Sequence, residues 1–286
     1  MATARDLQRQ INTVKNQARV FSALQTVSSV KFRKAEARVK KARPYADNVE
    51  QMMRDVAGSA SGDLPLLVGR EVNRVAVCTL TADRGLAGGF NAQVLRRTVS
   101  LRNEKDRDAL QVASGRKAVA FFRFRQVELA QVFTGFTDNP TYDKAREIGS
   151  TLTNLFEDEE ADEVYLVYNR FESALNQTPV VKRLLPVAEE GDEEEDDGAS
   201  YMEYVPDAET VLKRLVPRYV ETMVWQALLE GAAGEHGARM TAMKNATDNA
   251  NDLVRDLTLQ MNKARQAQIT QEILEIVGGA EALSAG

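Results

Sequence analysis

A glycine-rich loop is the first place where this chain could bind a phosphate group. Gly85, Gly88 and Gly89 follow one another in the order glycine, two other residues, glycine, glycine. A Walker A loop needs a following Lys-Ser or Lys-Thr, and a dinucleotide-binding loop needs the spacing GxGxxG. The loop has neither pattern. Its residues indicate a tight strand-to-helix turn in which glycines adopt positive φ.

The chain has one histidine, His236, and one cysteine, Cys78. A lone histidine cannot form a histidine metal cluster, and no Ser-His-Asp or Cys-His arrangement can be assembled around it from the sequence. We expect His236 on the surface of a helix. Cys78 ends the apolar run that begins at Val75, which predicts a buried strand residue, and a single thiol cannot form an intrachain disulfide. We therefore predict no catalytic residue, no metal site and no cofactor.

Charge is distributed unevenly along the chain. Residues 1–57 carry twelve basic and five acidic side chains, a net charge of +7, whereas the whole chain has a net charge of −5. Residues 189–197 are almost all acidic and predict a solvated loop. The basic segment could bind nucleic acid or acidic protein surfaces. Because no nucleic-acid-binding module and no stacking aromatic residues accompany it, an acidic protein surface is the better fit.

Two long stretches, at opposite ends of the chain, have the apolar spacing of coiled-coil helices. The first seam consists of Leu7, Ile11, Val14, Ala18 and Phe21, and the second of Met240, Met243, Ala250, Leu253, Leu257, Met261 and Ala264. Asp248, Asp252 and Asp256 indicate the solvent face of the second helix. We expect residues 1–57 and 207–286 to form helices that pair antiparallel as a rod. Pro44 should end or kink the first helix, and Pro217 should kink the second or mark its first turn.

The centre of the chain changes to a β-rich pattern. Short apolar runs, the first at residues 72–80, alternate with helical stretches, the first at residues 91–101 with Asn91 as a possible N-cap. Such alternation favours a mostly parallel sheet covered by helices, over residues 70–200. The predicted fold class is α/β, with a long antiparallel coiled coil of the N- and C-terminal helices and a Rossmann-like α/β domain. No apolar run is long enough to span a membrane, and no secretion signal is visible.

Several segments resemble the γ subunit of F-type ATP synthases. Residues 83–91 match its DRGL-x-GG-x-N loop, residues 239–250 its RM-x-AM-x-NATDNA run, and residues 265–280 its C-terminal signature. Residues 11–16 and 43–46 also fit, so the resemblance extends over essentially the whole chain. Ser22-Ala23-Leu24 departs from the common Lys-Ala-Met, Ala87 is often cysteine in relatives, and the paired cysteines of the redox-regulated chloroplast type are missing.

The resemblance implies a central-stalk rotor that couples rotation of the membrane ring to conformational change at catalytic sites on the β subunits. It implies three α and three β subunits around one such chain, the ε subunit and the membrane c-ring as partners, and no nucleic acid. It also implies a peripheral location at the cytoplasmic side of the bacterial plasma membrane. The chain would then be a non-catalytic subunit of the proton-transporting ATPase.

The resemblance also implies roles for individual residues. Contacts with the β-subunit catch loop would come from Arg265, Gln266, Thr270 and Glu272. An apolar tip bearing would consist of Ile269, Ile273, Ile276 and Val277. A basic cluster facing the catalytic head would be formed by Lys31, Arg33 and Lys34. The foot on the ε subunit and the membrane ring would use Lys40, Lys41, Arg43, Tyr45, Tyr201, Glu203 and Tyr204.

Two other classes of protein fit parts of the sequence. A coiled-coil scaffold or adaptor would use the α/β domain to bind an unrelated partner. An α/β enzyme would use the loop at residues 85–89 as a nucleotide site.

Overall fold

The computed structural model describes residues 3–59, 69–105, 108–187 and 208–284. Ten elements follow one another along the chain. They are α1 (Ala4–Ser59), β1 (Arg74–Leu80), α2 (Phe90–Lys105), β2 (Asp108–Ser114), α3 (Arg116–Phe124), β3 (Leu129–Phe133), α4 (Tyr142–Glu157), β4 (Glu163–Phe171), β5 (Gln177–Leu185) and α5 (Ala208–Ser284). The predicted fold class is confirmed: long N- and C-terminal helices flank a mixed α/β segment.

The five strands form one sheet in the order β3-β2-β1-β4-β5. The pairs β1–β2, β1–β4 and β2–β3 are parallel, and only β5 runs antiparallel, against β4. β1 is apolar and buried from Val75 to Leu80 because helices cover both faces of the sheet. Cys78 is fully buried there, as predicted, and burial raises the pKa of its thiol to about 12.

Both internal prolines lie inside continuous helices. Pro44 is within α1, so of the two predicted outcomes an end of the helix is excluded and a kink stays a prediction. Pro217 lies beyond the first turn of α5, so it does not mark the start of that helix. An internal proline costs about 3 kcal/mol through the lost hydrogen bond and the clash with the preceding turn. The buried residues Ala46, Val49 and Met53 follow Pro44 on α1. Their packing in the main core offsets the local preference for a break.

The chain forms two compact units, and residues 28–239 make up the larger one. Its main core joins one sheet face to α4 and to parts of α1 and α5. The core includes Cys78, Val112, Ile148, Leu152, Phe156, Leu166, Val220, Met223 and Val224. α2 covers the other face through Val94 and Leu101. Within this unit α1 and α5 run antiparallel, since Phe32 lies beside Gly237 whereas Arg43 binds Glu230.

The smaller unit contains residues 1–27 and 240–286. Leu7 and Ile11 of α1 are buried with Leu257 of α5, and Val14, Val254, Met261 and Ala264 pack around them. Farther along α1, Ser22 and Thr26 share a groove with Thr247 of α5. The residue numbers rise on one helix as they fall on the other, so the helices pair antiparallel in this unit too. The division at residues 57, 70, 200 and 207 stays a prediction.

Two local expectations are wrong. Asn91 does not cap α2, which begins at Phe90; its side-chain oxygen instead accepts a hydrogen bond from the Ala82 amide, 2.8 Å away. His236 is not on a helix surface but is 2 % exposed. The reason is that α5 packs against the β3–α4 connection at this point, where His236 contacts Asp138.

Candidate functional site

The carboxyl ends of β1, β2 and β3 meet at one edge of the sheet, where α/β proteins commonly bind ligands. The loop at residues 81–89 follows β1 there. Of its three glycines only Gly88 has positive φ, 54°, and Leu86 adopts a positive φ of 62° as well. Gly115, which follows β2, has φ 90°, and any Cβ there would lie 2.1 Å from the Thr81 carbonyl oxygen. The two loops are therefore in direct backbone contact.

The side chain of Asp83 fills this edge of the sheet. One carboxylate oxygen accepts hydrogen bonds from the Gly135 amide at 2.8 Å and from the amide and hydroxyl of Thr137 at 3.2 and 3.1 Å. The other oxygen accepts from the Arg116 amide, at the first residue of α3, at 3.1 Å. An internal anion thus occupies the amide groups that a ligand phosphate would use.

The hydrogen bonds favour the ionised form of Asp83. Partial burial raises the pKa of its carboxyl, but the amides of Gly135, Thr137 and Arg116 lower it more, so the pKa lies below its ordinary value. Asp83 is therefore ionised at neutral pH. It ties the loop after β1 to the starts of the next two βα connections.

α5 contacts the same loop through a buried ion pair. The Nε and Nη2 atoms of Arg239 donate to the carbonyl oxygen of Gly85 at 3.2 and 3.1 Å. Nη2 also donates to Glu235, one helical turn earlier, at 2.5 Å. Burial raises the pKa of the Glu235 carboxyl, and the Arg239 guanidinium offsets part of that rise.

His236 and Lys31 meet at Asp138, which lies in the β3–α4 connection. The His236 Nε2 atom is 3.2 Å from the Asp138 carbonyl oxygen, so Nε2 carries the proton. Burial lowers the pKa of His236, although Asp138 opposes the shift, and the imidazole is therefore neutral at pH 7. The ammonium group of Lys31, on α1, forms an ion pair with the Asp138 carboxylate.

The predicted head-facing cluster is therefore divided. Arg33 and Lys34 are exposed on α1, whereas Lys31 is paired with Asp138. A second cation of α1, Arg38, donates to the side chain of Asn139 and to the Pro140 carbonyl, both at 2.7 Å. Sequence analysis did not identify the contacts of Arg38.

The predicted foot residues also differ in their surroundings. Arg43 donates to Glu230 and to the Phe171 carbonyl, both at 2.9 Å, so its guanidinium is engaged inside the unit. Lys40 pairs with Glu36 at 3.0 Å, whereas Lys41 and Tyr45 are exposed. Tyr201, Glu203 and Tyr204, like the acidic tract at 189–197, lie outside the described residues.

The predicted tip residues are all exposed along one stretch of α5. Arg265, Gln266 and Thr270 are exposed, and Glu272 accepts a hydrogen bond from Gln268 at 3.0 Å. The four aliphatic residues predicted to form the tip bearing are 48–72 % exposed: Ile269, Ile273, Ile276 and Val277. Exposed aliphatic residues in this number are typical of a surface that another protein covers.

Ser22, one of the two positions where the chain departs from the common Lys-Ala-Met, lines an open groove in the smaller unit together with Ala23. Lys15 and Arg19 flank this groove on α1, and Thr247 and Asn251 face it on α5. The side chains of Ala18, Ser22 and Ala23 are small, so they do not fill the space between the two helices there.

Two further observations limit the chemistry of the described residues. Within residues 3–59, 69–105, 108–187 and 208–284, no three His, Cys, Asp or Glu side chains converge as metal ligands. No helix in those ranges is both long enough and apolar enough to cross a membrane.

The contacts of Asp83, Glu235 and Arg239 are the part of this arrangement that sequence reasoning missed. Asp83 and Arg239 were visible as members of two matching motifs, but their spacing in the chain gives no sign that both motifs meet at Gly85. The contact could have been predicted only by assuming that the motif at residues 83–91 packs against the motif at residues 239–250.

Comparison with known proteins identifies the family. The ATP synthase family model matches residues 3–283. The ATP synthase gamma chain of Rubrobacter xylanophilus is 67% identical over 290 residues and covers both chains fully. That of Moorella thermoacetica is 46% identical over 284 residues, which cover 99% of this chain and all of the relative.

Solved structures share the fold at low sequence identity. A chain of the Euglena gracilis mitochondrial ATP synthase, in a structure of OSCP/F1/c-ring, has a TM-score of 0.69 and 18% identity, and the match covers 99% of this chain and 95% of that one. A chain of the Tetrahymena thermophila mitochondrial ATP synthase central stalk and c-ring has a TM-score of 0.61 and 20% identity over 79% of this chain and 99% of that one. With a family model matched from end to end and relatives of this identity, the chain belongs to the family of ATP synthase gamma chains.

Proposed function

We propose that the chain acts as the central-stalk rotor subunit of a proton-translocating F-type ATP synthase. The observation that carries this proposal is the full-length match to ATP synthase gamma chains. In this role the chain turns with the membrane c-ring and changes the conformation of catalytic sites that lie on the β subunits. The scaffold alternative is not favoured, because it does not account for a family match along the entire chain.

The chain itself has a positioning role and no reaction of its own. The edge of the sheet where an α/β enzyme would bind a nucleotide is filled by Asp83, which supports this proposal. ATP would therefore be bound and cleaved by other subunits of the complex. The enzyme alternative needs a nucleotide at the loop of residues 85–89, where Arg239 already binds the Gly85 carbonyl.

The exposed residues of α5 are the proposed contacts with the catalytic head. Arg265, Gln266, Thr270 and Glu272 would meet the β-subunit catch loop, and the planar guanidinium of Arg265 can make a bidentate bond with a carboxylate. The aliphatic tip of Ile269, Ile273, Ile276 and Val277 would turn within an apolar collar of the α and β subunits. Few directional bonds would then oppose rotation.

The basic residues of α1 supply the other proposed contacts. Arg33 and Lys34 are exposed and available to acidic loops of the head. Lys31 would belong to the same basic cluster while its ammonium group stays paired with Asp138. At the foot, Lys40, Lys41 and Tyr45 are the exposed members that would meet the ε subunit and the c-ring. The hydrogen bonds of Arg43 favour a supporting role inside the unit.

We further propose a peripheral location, on the cytoplasmic side of a bacterial plasma membrane. The bacterial sources of the most similar relatives support it, together with the c-ring as partner.

Affinity purification of the tagged chain from its own cells tests the proposed function. The α and β subunits should co-purify in a ratio of about three to three to one, and the complex should hydrolyse ATP, whereas the isolated chain should neither bind nor cleave it. Recovery of the chain without α and β would contradict the rotor role. ATP cleavage by the chain alone would favour the enzyme alternative.

A further inference from the structure

The larger unit contains a buried polar contact between α5 and the sheet edge, and the proposed function assigns no role to it. Glu235, His236 and Arg239 are at most 8 % exposed, and they lie on α5 just beyond the stretch, including Val220, Met223 and Val224, that packs in the main core. Burying charged groups is unfavourable unless they are paired and hydrogen-bonded. Such groups call for a role that an apolar contact would not fulfil.

We propose that Asp83, Gly85, Glu235 and Arg239 form a polar joint that fixes the rotational and axial position of α5 on the α/β domain. This inference rests on the proposed function, because its purpose would be to pass torque between the domain and the helix. Arg239 and Glu235 are positioning residues in this joint, and neither contacts a reacting group.

The geometry of the Arg239 contact restricts movement in a way that the surrounding core does not. The hydrophobic effect is non-directional and depends on the apolar area removed from water. Hydrogen bonds depend strongly on distance and angle. Two donors of one guanidinium converge on the single carbonyl of Gly85, at 3.2 and 3.1 Å, and Glu235 holds the same guanidinium from the helix side. A turn of α5 about its axis would break both bonds to Gly85, while Glu235 would move with Arg239 because both lie on α5.

The sheet side of the joint is held firmly as well. Asp83 lies two residues before Gly85 and accepts bonds from Gly135, Thr137 and Arg116. The backbone adds bonds from the Thr81 amide to Ser114 and from the Lys117 amide to Ala82. A force on the Gly85 carbonyl is therefore distributed over three βα connections.

A second group of contacts supports the joint from the β3–α4 connection. Asp138 pairs with Lys31 of α1, and its carbonyl accepts a bond from His236 of α5. Arg38 of α1 binds the next two residues, Asn139 and Pro140. Both long helices are thus tied by polar bonds to the same edge of the sheet, within residues 28–239.

The test is a coupling measurement on the complete complex with Arg239→Lys. Lysine keeps the charge beside Glu235 but cannot place two donors on the Gly85 carbonyl. We expect normal complex yield and retained ATP hydrolysis, with protons pumped per ATP hydrolysed in membrane vesicles lowered by about twofold or more. Arg146→Lys is the matched control, since Arg146 is exposed on α4 and pairs only with Asp143 three residues earlier among the described residues; it should leave the ratio unchanged.

Hydrogen exchange provides a second readout on the same complexes. Arg239→Lys should speed amide exchange in residues 83–91 by about tenfold, with no change in β4. If Arg239→Lys does not assemble, Glu235→Gln takes its place, because glutamine keeps a hydrogen-bond acceptor for Arg239 and removes the charge. Faster exchange in residues 83–91 of that assembled variant would support the joint, and unchanged exchange would overturn it.

The two proposals fail in different ways. A pumping ratio equal to that of the wild type in assembled Arg239→Lys overturns the joint, even if stability or yield is reduced. Failure of the wild-type chain to assemble with α and β subunits overturns the rotor role itself.

Discussion

At the scale of single residues, the chain uses carboxylates to organise loops. Asp83 accepts four hydrogen bonds from three residues, and Asp162 accepts bonds from the amides of Asn73 and Arg74, both at 2.9 Å. Burial raises the pKa of Asp162, but those bonds and the Arg70 guanidinium lower it by more. The pKa therefore lies below its ordinary value, as it does for Asp83. A carboxylate that ties several amides together fixes loop geometry without any bound ligand.

Asp83→Asn tests this role through stability. Asparagine keeps one acceptor oxygen but loses the charge, so we expect the free energy of unfolding to fall by about 1 to 2 kcal/mol at pH 7. The folded-state pKa of Asp83 is lowered, so its contribution is present at neutral pH and is lost as pH falls through that pKa. The difference between variant and wild type should therefore shrink below about pH 4. Urea unfolding at several pH values measures it.

Asp143→Asn is the control for this experiment, because Asp143 is exposed and paired only with Arg146 among the described residues. It should change the unfolding free energy little at any pH. A constant difference between Asp83→Asn and wild type from pH 7 down to pH 3 would contradict an ionised Asp83.

At the scale of elements, α5 shows how glycine can serve close packing within a helix. A Cβ at Gly237 would lie 3.1 and 3.2 Å from the Cα and carbonyl oxygen of Ala174 and 3.3 Å from the ring of Phe32. A Cβ at Gly234 would meet the ring of Phe90 at 3.0 Å, whereas one at Gly231 would have no neighbour within 4 Å. Two of the three glycines thus permit contacts that larger residues would block.

Alanine substitutions at two of these glycines should therefore have opposite effects. Gly231→Ala should raise the free energy of unfolding by up to about 1 kcal/mol, because alanine favours the helix and nothing opposes its methyl group. Gly237→Ala should lower it by about 1 to 3 kcal/mol, because the methyl group meets backbone atoms that cannot rotate away. Thermal unfolding of the two variants measures the contrast. Equal shifts of the same sign would show that close packing does not explain Gly237.

The helix pair of the smaller unit depends on a short apolar seam. Leu257 is buried with Leu7 and Ile11. Leu257→Asp would place an unpaired charge in that seam and should destabilise it by about 3 kcal/mol or more. We expect a lower yield of the assembled complex, measured by affinity purification. Leu259→Asp is the control, since Leu259 is 62 % exposed, and it should assemble normally.

At the scale of the whole molecule, several reactive side chains of the described residues are engaged in contacts within the fold. The internal anion site is filled by Asp83, the lone histidine is a neutral structural residue, and the lone thiol is buried. Among the residues whose side chains are described, the largest run of exposed aliphatic residues lies on α5, from Ile269 to Val277. This exposed run fits a chain that binds neighbouring subunits.

Arg265→Ala tests the proposed contact of the tip with the catalytic head. Arg265 is exposed, so we expect normal assembly, and a slower rate of coupled ATP synthesis because a bidentate bond to a carboxylate is lost. Arg265→Lys keeps the positive charge but lacks the planar guanidinium. Its rate of ATP synthesis should lie between those of the wild type and Arg265→Ala. ATP synthesis in energised vesicles gives the rates. A wild-type rate in Arg265→Ala would remove the proposed role of this residue.

Periodicity and motifs in the sequence determined the elements and the family. Heptad spacing predicted both long helices, since a narrow apolar stripe must be buried against a partner, and the strand–helix alternation predicted the parallel sheet. The matches at residues 83–91, 239–250 and 265–280 identified the family that the comparisons confirm. Local patterns suffice for these features because helix period, strand alternation and motif order are all properties of neighbouring residues.

Tertiary contacts decided what local patterns could not. Pro44 and Pro217 stay inside helices because the packing of a long apolar face outweighs a local penalty. His236 is buried because the β3–α4 connection, about a hundred residues earlier, covers it, and Arg239 binds Gly85 across 154 residues of chain. The energy of such contacts depends on which distant segments the fold brings together, and no spacing along the sequence contains that information.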